Sequence, residues 1–142
     1  LFLPQRPYLP LGSLRQAISY PVVEEVISEK YSDEEIKEIL IACKLENLAD
    51  KLDIVDDWSR ILSLGEQQRI ALVRILLYRP EFVFLDEATS ALDEDLEGNL
   101  YDMLKFHLPN TKIISIAHRS SLIAKHQAIL RLKEKGCWEI HE

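Results

Sequence analysis

Two acids stand side by side in the run "FVFLDEATSALD", and their place in the chain says more than their charge. Asp86 and Glu87 follow an apolar stretch, residues 82 to 85, whose lack of alternation predicts a strand covered on both faces. Ligands of open parallel sheets sit beyond the carboxyl ends of the strands, which is where this pair emerges. Two adjacent carboxylates can divide the work there: one holds Mg²⁺, and the other orients or deprotonates a water. An acidic turn that only opens the next helix fits the same residues. His118 follows a second apolar run, "KIISIA", and would open onto the same edge, although a lone His at a strand end more often serves as a structural hydrogen-bonding group. Gln5 also follows a short apolar run, "LFL", and by itself signifies little.

The stretch "LSLGEQQR" has two readings. Ser63 and Glu66 fit the S-x-x-E capping box that starts many helices. A helix tip carrying a serine hydroxyl and the Gly65 amide is also suited to a phosphate, because unpaired N–H groups and the helix dipole both favour anions. Glycine lets the backbone approach closely.

These residues need a scaffold. "LFL" reads as the end of a buried strand stopped by Pro4, and "QRPYLPLGS", with two further prolines and a glycine, reads as a loop. Leu14 to Ile18 predict a helical turn closed by Pro21. "SDEEIKEILIACKL" is the clearest helix, with Ser32 and Glu35 as a capping box and Ile36, Ile39, Leu40 and Cys43 on one face. A polar stretch leads to the helix that starts at Ser63 and ends before Pro80. Asp93 caps a further helix whose stripe is Leu96, Leu100, Met103 and Leu104. "KIISIA" predicts a second buried strand, "SSLIAKH" a short helix, and "QAILRL" and "CWEIH" two strands joined by a turn at "EKG". The alternation of strand and helix in the second half implies an α/β fold with a mostly parallel sheet, interrupted from about 7 to 80 by a largely helical insert.

Bulk properties narrow the class. A chain of 142 residues has room for one core, and 47% hydrophobic with 29% charged residues is ordinary for a folded, water-soluble protein. A net charge of −7 repels phosphate backbones, so no nucleic-acid partner is expected. Cys43 and Cys137 lack metal or disulfide spacing and read as packing residues. No apolar run reaches the roughly 18 residues that span a bilayer, since Arg74 cuts "IALVRILL". The chain opens without an initiator Met or a signal segment, and its start is expected to be internal to a longer protein.

Taken in order, "LPQRPY", a helical stretch, "LSLGEQQRIALVRILLYRPEFVFLDEATSALD" and "IISIAHR" resemble the ATP-binding cassette (ABC) ATPase family over essentially the whole chain. The resemblance implies a partial P-loop NTPase-type core, residues 1–6 and 81–142, with an inserted ABC helical subdomain at about 7–80. It implies ATP and Mg²⁺ as ligands and assigns roles. Gln5 resembles the Q-loop glutamine that reaches the metal and the attacking water, Asp86 the Walker B metal-holding aspartate, Glu87 the catalytic carboxylate, and His118 the switch histidine on the γ-phosphate. Ser63, Gly65 and Glu66 resemble the signature motif, which closes over ATP held by the opposite subunit, and Asp93 resembles the D-loop aspartate. The implied partners are a transmembrane domain, faced by the proline-rich segment after Gln5, and a second ATP-binding domain in a head-to-tail dimer. The implied location is the cytoplasmic face of a membrane, the inner membrane in a bacterium.

The signature departs from the usual pattern, with Leu64 for a glycine and Glu66 for glutamine. "LSLGE" and "RPY" resemble half-transporters that include peroxisomal fatty-acyl carriers and bacterial relatives. No glycine pair has the GxxxxGK[ST] spacing of a phosphate-cradling loop, so that loop is expected upstream of Leu1 and the chain alone is expected to be inactive. Exposed apolar sheet surface and self-association follow from the same expectation. An SMC-like or DNA-repair ABC ATPase is the alternative, disfavoured by the short span from Gln5 to Ser63 without heptads. A non-catalytic interaction remnant is the other, disfavoured by the full set of Gln5, Asp86, Glu87 and His118.

Overall fold

The computed structural model describes residues 1–141. Three parallel strands, β1 (Phe2–Leu3), β4 (Phe82–Asp86) and β5 (Lys112–Ile116), form one sheet in the order β1-β4-β5. Register pairs Phe2 with Phe84, Phe84 with Ile114, and Asp86 with Ile116, so Asp86 ends its strand level with the end of β5. Parallel neighbours require crossovers. The connection from β4 to β5 carries helix α6 (Glu94–His107), and the one from β1 to β4 carries the helical segment.

That segment begins with a pairing the sequence did not reveal: β2 (Gly12–Ser13) runs antiparallel to β3 (Val55–Asp56) inside stretches expected to be loop and polar linker. Gly12 adopts φ 142°, and a Cβ there would lie 1.9 Å from the Gln16 side-chain oxygen, so glycine is what lets Gln16 reach back and cap the next helix. Helices α1 (Leu14–Ser19), α2 (Glu24–Lys30), α3 (Asp33–Ala42), α4 (Trp58–Ile61) and α5 (Leu64–Tyr78) follow. Capping boxes start α1, α3 and α5, at Ser13, Ser32 and Ser63, the last two as expected. Arg79 turns left-handed at φ 48° to end α5 before Pro80.

Helix α5 is the hub of the core. Every residue from Ile70 to Leu77 is buried, because α1 and α3 pack on it from different sides. Arg74 shares that burial; its guanidinium donates to the Ala17 carbonyl at 2.7 Å and the Tyr8 carbonyl at 2.8 Å. Burial pulls the guanidinium down to about 10, with Tyr78 and Tyr20 opposing.

Two expectations about the sheet are corrected. Strands β4 and β5 are covered on one face only among the described residues: Val83 and Leu85 are buried, while Phe82, Phe84, Ile114 and Ile116 are exposed. An apolar run on both parities shows that both faces are apolar; which elements cover them depends on packing. The strands β6 (Ile129–Leu132) and β7 (Trp138–His141) form the expected hairpin, but as a separate two-stranded sheet instead of extending the parallel one. The short helix expected at "SSLIAKH" is a 3-10 segment, Ser120–Lys125, packed on α6.

Candidate functional site

At the carboxyl edge of the sheet, Glu87 leaves β4 in a left-handed conformation, φ 49°, and its N–H is tied to the Ile116 carbonyl at 2.9 Å. A non-glycine residue held there is strained and persists only where its surroundings enforce it. The conformation turns the Glu87 side chain toward His118, whose Nε2 lies 2.8 Å from Glu87 Oε1. Both are accessible, the His118 side chain at 83% and that of Glu87 at 30%. Asp86, the neighbouring residue, receives no side-chain hydrogen bond or ion pair among the described residues, and no cluster of three metal-binding side chains forms there. That suits Mg²⁺, which takes one or two carboxylates and completes its shell with water and phosphate oxygens.

Gln5 extends from the loop after β1 and donates its amide to Ser90 Oγ at 3.2 Å, so it meets the loop that follows Glu87 and not the Asp86 carboxylate. Asp93 accepts the Leu96 N–H at 2.8 Å and caps α6. At the tip of α5, Glu66 Oε2 accepts from the Ser63 N–H at 2.9 Å and the Ser63 hydroxyl at 2.8 Å, while Asn47 donates to Oε1 at 3.4 Å. Partial burial works against the charge, yet these hydrogen bonds from Ser63 and Asn47, with Arg69 nearby, hold the Glu66 carboxyl below its ordinary range. The capping box is therefore formed. Gly65 faces the loop after β4: a Cβ there would sit 3.4 Å from the Ala91 carbonyl oxygen.

Three further residues knit the site together and were not singled out in the sequence. Gln68, fully buried, bridges α5 to Gln5 and the loop after Glu87. Arg119, next to His118, donates to the Leu92 carbonyl at 2.6 Å and the Ser90 carbonyl at 3.1 Å, and pairs with Glu97 at 3.2 Å. Glu97 is buried and also accepts from the Thr89 hydroxyl. A signal existed for two of them. Glu97 sits three residues before Leu100 and seven before Leu104 on the stripe of α6, and Gln68 sits four before Leu72 and seven before Ile75 on α5, so both are polar groups on a buried face.

The family model for ABC transporters matches residues 9–90. The chain belongs to the ABC transporter family. It is 47% identical over 140 residues, 99% of its length, to an ABC transporter ATP-binding protein of Haemophilus influenzae, of which it covers 23%. It is 38% identical over 99% of its length to the ATP-binding cassette sub-family D member 1 of Drosophila melanogaster, covering 20% of that protein. A bacterial Atm1-family ABC exporter solved with ATP bound superposes with a TM-score of 0.73 at 28% identity, over 91% of this chain and 22% of the exporter. The chain thus spans about a quarter or less of the length of these relatives. Bacterial proteins and sub-family D members stand together among them, and ABC transporter nucleotide-binding domains, not the DNA-repair alternative, are its kin. No helix of the described residues is long and apolar enough to cross a membrane.

Proposed function

We propose that these residues form the hydrolytic edge and the helical subdomain of an ABC transporter's ATPase domain, which uses ATP hydrolysis to drive transmembrane transport. In this reading residues about 7–80 make the helical subdomain and 1–6 with 81–142 the core, Glu142 lying outside the described residues. The observation that carries it is the hydrogen bond between Glu87 and His118 at the carboxyl edge of β4 and β5, beside an Asp86 carboxylate left for a cation.

Glu87 accepts a proton from a water as that water attacks the γ-phosphorus of ATP, and ADP leaves from the opposite side. His118, 2.8 Å from Glu87 Oε1, fixes the direction in which this carboxylate points. Asp86, with Gln5 able to swing from Ser90, would hold Mg²⁺, which neutralises charge on the phosphates. Gly65 offers its amide at a helix tip to the nucleotide of a second, head-to-tail domain, Ser63 would join it by turning its hydroxyl from Glu66 Oε2 to the phosphate, and Asp93 marks the loop that signals across the dimer. The exposed apolar residues Leu11, Tyr20, Val22 and Val23, rimmed by Glu24 and Glu25, line a groove suited to a transmembrane partner at the cytoplasmic face of a membrane. No phosphate-cradling GxxxxGK[ST] occurs in the 142 residues, so the chain alone lacks the Lys and amides that grip the β- and γ-phosphates.

The test is turnover of Mg-ATP by the full-length gene product and by residues 1–142. Glu87→Gln in the former is expected to lower kcat by about 10²- to 10⁴-fold, the usual contribution of a general base, with ATP binding retained. Steady hydrolysis by residues 1–142 alone, or parental turnover in Glu87→Gln, would overturn the reading.

A further inference from the structure

Gln68 lies one turn beyond Gly65 on α5, and nothing in the chemistry above uses it. It is fully buried, and its primary amide has every polar atom engaged. Nε2 donates to the Gln5 carbonyl at 2.8 Å, with the Ser90 hydroxyl at 3.3 Å and the Glu87 carbonyl at 3.5 Å sharing its second hydrogen. Oε1 accepts the Ala91 N–H at 2.9 Å. Ser90 Oγ in turn accepts the side-chain amide of Gln5. One side chain on α5 therefore grips the loop after β1 and the loop after β4 at once.

The partners are three backbone groups and a hydroxyl, none of them charged, so what this amide passes on is position and not field. Its anchor points are also the flanks of the reacting groups: the backbone of Gln5 and the carbonyl of Glu87 itself. Gly65, three residues earlier on the same helix face, abuts the Ala91 carbonyl, which gives α5 a second contact with the same loop. A displacement of the helix tip thus has a direct mechanical route to the Glu87 turn, whose left-handed backbone leaves little freedom to absorb it.

We propose that Gln68 is a positioning residue for hydrolysis: its amide holds Gln5 and the Glu87 turn in register with α5, so that engagement of Ser63 and Gly65 by a partner's nucleotide is felt at the catalytic carboxylate. The inference rests on the assignment of Glu87 as the proton-accepting group. Gln68→Met keeps the side chain's length and volume without its hydrogen bonds. Gln68→Glu keeps the shape, removes both donors and turns an oxygen toward the carbonyls of Gln5 and Glu87.

The experiment measures kcat and KM for ATP on the full-length gene product, with turnover normalised to sites that bind a fluorescent ATP analogue. Normalisation removes the effect of a variant that folds in lower yield. Both variants are expected to lose about 10- to 100-fold in kcat per binding site, the scale of a slightly misplaced reacting group, with KM within about threefold of the parent. Ser90→Ala removes the acceptor that Gln68 and Gln5 share while leaving every side chain of α5 in place, and is expected to lower kcat at least about threefold, which keeps the test available if the Gln68 variants do not fold. Turnover per binding site within twofold of the parent in the folded variants overturns the proposal, and so does a rise in KM that accounts for the whole loss. Parental turnover in Glu87→Gln would instead remove the assignment on which it rests.

Discussion

Replacement of Arg119 by methionine isolates the contact that holds the loop after Glu87 in place. Glu97 is only 2% exposed, and in the folded chain its charge is met by Arg119 at 3.2 Å and by the Thr89 hydroxyl. Arg119→Met strands that carboxylate with one neutral donor and strips the Leu92 and Ser90 carbonyls of theirs. Removing one partner of a buried ion pair costs about 3–5 kcal/mol. The Arg119 side chain is 31% exposed, so water replaces part of what is lost, and about 2–4 kcal/mol is the expected destabilisation. Urea unfolding followed by tryptophan fluorescence reads it, since Trp58 is buried with its indole N–H on the Gly12 carbonyl at 3.2 Å. The double variant Arg119→Met/Glu97→Gln removes the stranded charge and is expected to be at least about 1 kcal/mol more stable than Arg119→Met alone. A loss below about 0.5 kcal/mol in the single variant, or no recovery in the double, would refute the view that buried Glu97 needs Arg119 as its partner.

Ser63→Ala removes the cap of α5 and is expected to cost about 0.5–2 kcal/mol in the same unfolding assay, whereas an unchanged midpoint would mean the box contributes nothing. Burial pushes the Cys43 thiol up to about 12, so the unfolded chain gives up this proton near pH 9 and the folded chain does not. Stability from this group is full below pH 9 and is lost as pH rises toward 12; Cys43→Ala should flatten that part of the profile, and an identical slope would count against it. A thiol reagent should label exposed Cys137 at once and Cys43 only on unfolding. With Phe2, Phe82 and Phe84 exposed on one sheet face among the described residues, residues 1–142 are expected to self-associate, and Phe84→Lys to raise the concentration at which light scattering still reports a monomer.

Local rules were legible wherever a residue's role depended on its chain neighbours. Ser32 with Glu35 and Ser63 with Glu66 form boxes because both partners belong to one helical turn, and Asp93 caps α6 for the same reason. The end of β4 at Asp86 could be read from the apolar run before it, and with that came the edge on which Glu87 emerges. The meeting of Glu87 with His118 depended on more: two strands had to be parallel neighbours in the right register, which the shared pattern of strand, acid, strand and His anticipated.

Tertiary structure decided what lies between elements far apart in sequence. Gln68 touches Gln5, and Arg119 reaches Glu97, because sheet and helices bring distant loops within hydrogen-bond range, and no periodicity encodes such a pairing. It likewise decided that Phe84 faces outward while Val83 does not, since equal apolarity on both sides of a strand leaves the choice of covered face to whatever packs there. The kinds of groups available for chemistry were thus set by the order of residues along the chain. Their mutual restraint came only with folding, because a hydrogen bond depends on distance through space and the chain records distance along itself.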